Sequence, residues 1–193
     1  IVCSAAMSPV FLLATGGLLD IAAAICPLVN KSPKANKADM ADLVTYELDG
    51  EVARIGLNRP DKRNALNEQM VDHLEAAVDR ASREAKAAVV FGHGKHFCAG
   101  LDLAEHKERS LTEAVHNSRR WHFAFDRMQR GSIPFFAALH GAAVGGGLEL
   151  AATAHVRVAD ETAFFALPEG QRGIFLGGGG SVRIARLIGK ANV

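Results

Sequence analysis

Residues 141–150 read GAAVGGGLEL. Gly145, Gly146 and Gly147 stand at the mouth of a predicted helix, and Glu149 falls within its first turn. A helix N-terminus offers unpaired backbone N–H groups and a partial positive charge. Glycine, which has no Cβ, lets another molecule come within hydrogen-bonding distance of that backbone. The chemistry this allows is the holding of an anion, or of an oxyanion that develops during a reaction. The same glycines also suit close packing of the helix on a strand, and this segment alone leaves both roles open. A second small-residue turn, Cys98-Ala99-Gly100, precedes Leu101 in GHGKHFCAGLDL, directly after the strand-like AAVVF. Two such turns at the ends of neighbouring strands can aim two N–H groups at one oxygen, which is what an oxyanion hole requires.

Other glycine chemistries fit less well. GAAVGGG does not spell the G-x-G-x-x-G of a dinucleotide site, and no acidic residue closes a following strand as that fingerprint requires. The run Gly177 to Gly180 lacks the Lys-Ser or Lys-Thr of a P-loop, which argues against ATP or GTP. The histidines at 93, 96, 106, 116, 122, 140 and 155 show no ligand spacing on helix or strand, so no metal is predicted. A net charge of +1, with no basic stripe and a single Tyr and Trp, argues against a nucleic-acid partner. The three cysteines form neither a metal motif nor a disulfide framework. A reducing, cytoplasmic setting follows.

The elements that must position these turns alternate along the chain. With 193 residues, 49% of them hydrophobic, one domain with a substantial core is expected. LVTYELD and EVARIGLN read as strands joined by the hairpin turn Asp49-Gly50. ALNEQMVDHLEAAVDRASRE places Leu66, Met70, Val71, Leu74, Ala77, Val78 and Ala81 on one helical face. AAVVFGHG is a short buried strand and TEAVHNSRRWHFAFDRMQR a second helix. The strand PFFAALHG, the glycine-led helix over LELAATAHV, the strand VRVAD, a short apolar FFAL and a helix around SVRIARLIG follow. Strands alternating with helices imply an α/β fold with parallel strands and helical crossovers.

Residues 1–39 differ from the rest, being apolar and nearly uncharged up to the polar KSPKANKAD. Pro9, Gly16, Gly17, Asp20 and Pro27 interrupt any run long enough to span a bilayer, and the basic start of a signal peptide is missing. This stretch is expected to be a leader of doubtful origin, with membrane contact only if it is native. The core is expected over 40–193, with the chain stopping at GKANV just after a helix.

Taken together, NRPDKRNAL, GKHFCAGLDL, HGAAVGGGLELA and LPEGQRGIFLGGGGSVRIARLIGK resemble the crotonase (enoyl-CoA hydratase/isomerase) superfamily. The resemblance runs from about Leu43 to the C-terminus. It implies a crotonase-like spiral of ββα units with parallel sheets, here ending before the family's C-terminal helical region. It also implies an acyl-CoA thioester substrate, no separate cofactor, and a homotrimer or hexamer. The oxyanion donors fall on the N–H groups of Leu101 and Gly146. The family's two catalytic glutamates fall on Glu149, which would hold and activate water, and Glu169, which would protonate the α-carbon. Adding water across a conjugated double bond needs such a pair. Two crowded carboxyls should also push one pKa upward.

By the same resemblance Lys62 and Arg63, with Arg59 and Asn64, lie where the CoA nucleotide passes, although a solvated charged turn is an equal reading. Ala65 and Leu66 would flank the pantetheine arm, and Ala99 and Gly145 would line the substrate. Trp121, Phe123 and Phe125 would wall the acyl pocket or simply pack the core. Cys98, beside the oxyanion turn, reads as a small buried thiol rather than a nucleophile. The expected reaction is hydration of a trans-2-enoyl-CoA. Isomerisation, another lyase or hydrolase chemistry of the same fold, and binding of acyl-CoA without turnover are the alternatives.

Overall fold

The computed structural model describes residues 12–13, 42–104 and 110–190. The expected hairpin is present. Strand β2 (Val44–Asp49) pairs antiparallel with β3 (Val52–Leu57), so that Val44 lies opposite Leu57. Gly50 in the turn has φ +60°, a conformation glycine adopts without a steric penalty. Strand β4 (Ala87–Gly92) then runs parallel to β3, and β5 (Phe135–Leu139) parallel to β4. Strand β7 (Val156–Ala159) follows on β5, and the two-residue β1 (Leu12–Leu13) adds to its edge. The sheet has six strands in the order β1-β7-β5-β4-β3-β2. Apart from β1, the expected leader lies outside the described residues.

Two long helices cover one face of this sheet. Helix α1 (Glu68–Glu84) buries Met70, Val71, Leu74, Ala77, Val78 and Ala81. Its first turn is capped by the Asn67 side chain, which accepts from the Met70 N–H and contributes about 1 kcal/mol. Leu66, expected on this helical face, instead lies before the cap in a parallel bridge to Leu101. Helix α2 (Leu111–Gln129) starts in a capping box between Ser110 and Glu113 and buries Trp121, Ala124, Phe125 and Met128. Between helices and sheet lie Leu57, Val90, Phe97, Phe125 and Phe135, all buried. On the outside, Arg120 pairs with Glu68 and Asp72, and Arg127 with Glu75 and Asp79. Such exposed pairs contribute no more than about 1 kcal/mol each.

A second, two-stranded sheet was not legible in the sequence. Strand β6 (Ala142–Val144) runs parallel to β8 (Phe164–Ala166), and an isolated bridge joins Cys98 to Ala143 on its other side. Three residues between Gly141 (φ +53°) and Gly145 (φ +54°) are too few for a period-two pattern to show. Each repeat thus gives a long strand to the main sheet, a short one to the second, and a helix. The repeats are β5, β6 and α3 (Gly146–Ala151), then β7, β8 and α4 (Gly180–Ile188). This is the expected ββα architecture.

Helix α3 is shorter than the sequence suggests, ending at Ala151 rather than running through LELAATAHV. The Thr153 hydroxyl donates to the Leu150 carbonyl at 2.6 Å. The buried Arg157 guanidinium caps the carbonyls of Ala151 and Ala154. These bonds satisfy the last carbonyls and stop the helix. Among the described residues no helix is long and apolar enough to cross a membrane.

Candidate active site

The two small-residue turns are locked to each other by backbone bonds. Cys98 donates its N–H to the Ala142 carbonyl, and Val144 donates to the Cys98 carbonyl. One residue pair further on, Leu66 donates to the Gly100 carbonyl and Asp102 to the Leu66 carbonyl. In a parallel bridge these bonds engage the neighbours of Leu101, so the N–H of Leu101 itself points away from Leu66. Gly146 is the first residue of α3, where an N–H has no helical partner. No described residue accepts from either amide.

The two amides share one small volume. A Cβ built on Gly100 would lie 3.1 Å from the Gly146 nitrogen, and one on Gly146 would lie 3.6 Å from the Leu101 nitrogen. The Gly146 position also meets the Trp121 ring at 3.1 Å. A side chain at Gly146 would therefore fill the space between the two N–H groups and the aromatic wall. Gly100, at φ +90°, and Gly145, at φ +54°, hold backbone conformations that L side chains rarely adopt.

Glu169 reaches the edge of this volume, and Glu149 lies near enough to Glu169 to interact with it electrostatically. Glu169 opens a short 3₁₀ turn (Glu169–Arg172) after β8, and its Oε1 would lie 2.5 Å from a Cβ on Gly145. Glu149 sits in the first turn of α3 and donates its own N–H to the Gly145 carbonyl at 2.9 Å. The two carboxyls are 3% and 8% exposed for 149 and 169, low enough that charge on either is poorly hydrated.

Their surroundings differ. Glu149 Oε1 accepts from the Gly178 N–H at 2.9 Å and the Gly180 N–H at 2.7 Å. Burial pushes the Glu149 carboxyl up, these two N–H bonds oppose the shift, Glu169 raises it and Arg183 lowers it. Burial also pushes Glu169 up, and only its own backbone N–H opposes the shift. Glu169 Oε2 is buried without a hydrogen-bond partner. Both carboxyls are thus raised by burial, Glu149 against two backbone N–H groups of the glycine run and Glu169 against its own backbone N–H alone.

A family model described as enoyl-CoA hydratase/isomerase matches residues 47–193. The chain belongs to this family. Family membership and the ββα fold were both legible in the sequence motifs. Among relatives, the 2,3-dehydroadipyl-CoA hydratase of Escherichia coli K12 is 41% identical over 144 residues, 72% of this chain and 55% of that one. A mitochondrial relative from Arabidopsis thaliana that carries an enoyl-CoA hydratase name is 39% identical over 149 residues, 74% and 48% of the two chains. The crystal structure of an enoyl-CoA hydratase homologue from Rhodopseudomonas palustris CGA009 has a TM-score of 0.76 and 51% identity. It covers 82% of this chain and 61% of its own. The chain thus spans about half the length of the curated relatives it matches.

Within this member of the enoyl-CoA hydratase/isomerase family the structure brings Leu101, Gly145, Gly146, Glu149 and Glu169 together. Ala99 is half-buried and donates its N–H to the Arg63 carbonyl at 3.0 Å. Ala65 is half-buried beside it, whereas the Leu66 side chain is fully buried in the core and only its backbone borders Leu101. Lys62 and Arg63 are exposed on the 3₁₀ turn Pro60–Lys62 and its cap.

Arg59 and Asn64 are framework rather than surface. Arg59 pairs with the buried Asp102 at 2.6 Å and donates to the Ala65 carbonyl at 3.1 Å. The wholly buried Asn64 donates to the carbonyls of His93 and His96. Trp121 and Phe125 line the site, with ring centroids 5.8 Å apart, while Phe123 is 64% exposed on the opposite side of α2. The Cys98 thiol is buried and pushed up to about 12, which leaves it an inert part of the turn.

Sequence reasoning missed Gly178, Gly180 and Arg183. The signal was the run Gly177 to Gly180, dismissed for lacking P-loop residues. A Cβ on Gly180 would lie 2.6 Å from Glu149 Cγ, so these glycines make room for a carboxylate of the protein itself.

Proposed function

We propose that this protein hydrates a trans-2-enoyl-CoA thioester. The observation that carries the proposal is the pair of free amides of Leu101 and Gly146 with Glu169 against Gly145, and Glu149, which interacts with Glu169, held by the Gly178 and Gly180 amides. The thioester carbonyl oxygen accepts from the N–H groups of Leu101 and Gly146. As water adds to the β-carbon, negative charge moves onto that oxygen, where prearranged amides stabilise it. One such donor is worth about 10²–10³ in rate.

Glu149, whose charged form the Gly178 and Gly180 amides favour against burial, accepts a proton from the attacking water. Glu169, whose protonated form burial favours, delivers its proton to the α-carbon. Hydroxyl is added at one carbon and hydrogen at the next, no electrons are exchanged, and one proton has passed from Glu169 to Glu149. The pair resets through water once product leaves. No cofactor enters this scheme beyond the CoA of the substrate. A homotrimer or hexamer is the proposed assembly, supported by the exposed Phe164, Phe175 and Val182 around α4.

The test is a product assay on the whole chain with crotonyl-CoA and, separately, a 3-enoyl-CoA. Formation of 3-hydroxybutyryl-CoA from crotonyl-CoA is expected. Migration of the double bond without hydration overturns the proposal in favour of an isomerase. Binding of both thioesters with no turnover at any pH reduces the protein to an acyl-CoA binder.

A further inference from the structure

The amides that hold Glu149 are themselves held from a distance. Gly178 lies in the loop that leads into α4 and Gly180 is the first residue of that helix, and neither has a side chain to anchor it. Arg183, one turn into α4 and 8% exposed, reaches back under this loop. Its Nη1 donates to the Gly178 carbonyl, the far side of the loop whose amides meet Glu149. Its Nε donates to Gln129 Oε1 at 2.6 Å and its Nη2 to the Asp126 carboxylate, both on the last turns of α2. One planar guanidinium therefore joins α2, the glycine loop and α4.

We infer that Arg183 is a positioning residue, a clamp between Asp126 and Gln129 of α2 and the Gly178 carbonyl that keeps the Gly178 and Gly180 amides aimed at Glu149. It touches no substrate and acts through the loop. The geometry makes the fork shape of the side chain essential. Three different acceptors in three directions are met by a guanidinium with fixed N–H directions, and a lysine ammonium on the same stem meets fewer of them. The loop has no slack to recover on its own. A Cβ on Gly179 would lie 2.3 Å from the Arg183 guanidinium, so the backbone already lies directly against it.

Through the catalytic effect the inference rests on the proposed hydratase reading, so its test includes a readout that needs no turnover. Among the described residues the charged and titratable groups acting on Glu149 are Glu169 and Arg183, with Asp126 behind Arg183 and His122 beside Gly179. The variants are Gln129→Ala, Arg183→Lys and Arg183→Gln. Gln129 is exposed and neutral, so its loss tests the tether without altering charge. Arg183→Lys keeps the charge and loses the fork, and Arg183→Gln loses both.

The carboxyl titration of Glu149 is followed by carbon-13 NMR on the full chain, alongside kcat and KM for crotonyl-CoA. The Glu149 midpoint is expected to rise in the order wild type, Gln129→Ala, Arg183→Lys, Arg183→Gln, as a loosened loop withdraws N–H donors from the carboxylate. Turnover is expected to fall roughly tenfold to a hundredfold in Arg183→Lys, with KM within about twofold, since misplacement rather than binding is lost. An unchanged midpoint in Gln129→Ala and Arg183→Lys overturns the clamp whatever the activity. If the arginine variants do not fold, Gln129→Ala alone decides. If the midpoints move and no variant or wild type hydrates crotonyl-CoA, the clamp stands and the hydratase reading falls.

Discussion

Replacing Glu169 by Gln separates chemistry from binding and from folding. The substitution keeps shape and volume, so the 2.5 Å approach of Oε1 to the Gly145 position is still made by an amide oxygen or nitrogen of the same size. What disappears is the transferable proton. General acid catalysis by a positioned carboxyl contributes about 10²–10⁴ in rate, or about 3–5 kcal/mol of barrier. Because Glu169 lies beside the oxyanion turn and not in the exposed 60–63 turn, affinity for CoA itself should be unchanged.

Stability should move the other way. Burial raises the Glu169 carboxyl in the folded state, so its contribution is full below the unfolded carboxyl range and is lost as pH climbs through the raised value. Glutamine has no proton to lose there. The variant should match wild type in acid and become the more stable of the two toward neutral pH. The assay is the fall in ultraviolet absorbance as the conjugated double bond of crotonyl-CoA is hydrated, with thermal melts at two pH values on the same samples. A variant with wild-type kcat refutes Glu169 as proton donor. One that melts lower than wild type at neutral pH refutes the account of its burial.

Three further outcomes follow from single contacts. Gly145→Ala places a Cβ at φ +54° and 2.5 Å from Glu169 Oε1, so urea melts should show a loss of about 1–3 kcal/mol, together with a fall in kcat. Arg59→Met removes the 2.6 Å ion pair to the buried Asp102 carboxylate, and equilibrium unfolding should report a loss of about 3–5 kcal/mol. If Arg59 instead served a phosphate, stability would hold and CoA affinity alone would drop. Cys98, with its thiol raised to about 12, should stay unmodified by iodoacetamide near neutral pH until the chain is unfolded, as read by peptide mass mapping.

The long elements were legible because each carries its own period. Helix α1 shows six buried residues at helical spacing, and β2 and β3 announce themselves by Asp49-Gly50. What escaped was decided by contacts far apart in sequence. Leu66 fits the helical face of α1 in spacing, yet its backbone is claimed by Leu101 and it stays extended. Strand β6 exists because Cys98 and Phe164–Ala166 pair on either side of it, which no window around residues 142–144 can reveal. Arg59 looked like a surface cation because Asp102, its partner, lies forty-three residues away.

The glycine runs show why the motif order was so informative while individual roles were not. Gly145 and Gly146 leave room for Glu169 and for the gap between the two amides, and Gly178 and Gly180 leave room for Glu149. Glycines that look interchangeable in the sequence therefore make room for different groups, one run for Glu169 and the gap between two amides, the other for Glu149. A carboxyl can be buried to raise its pKa, or ringed by amides to restrain that rise. This chain does the first for Glu169 and both for Glu149. The two acids differ in which of them lies against the four-glycine loop. Any change that moves that loop should act first on Glu149 and only secondarily on Glu169.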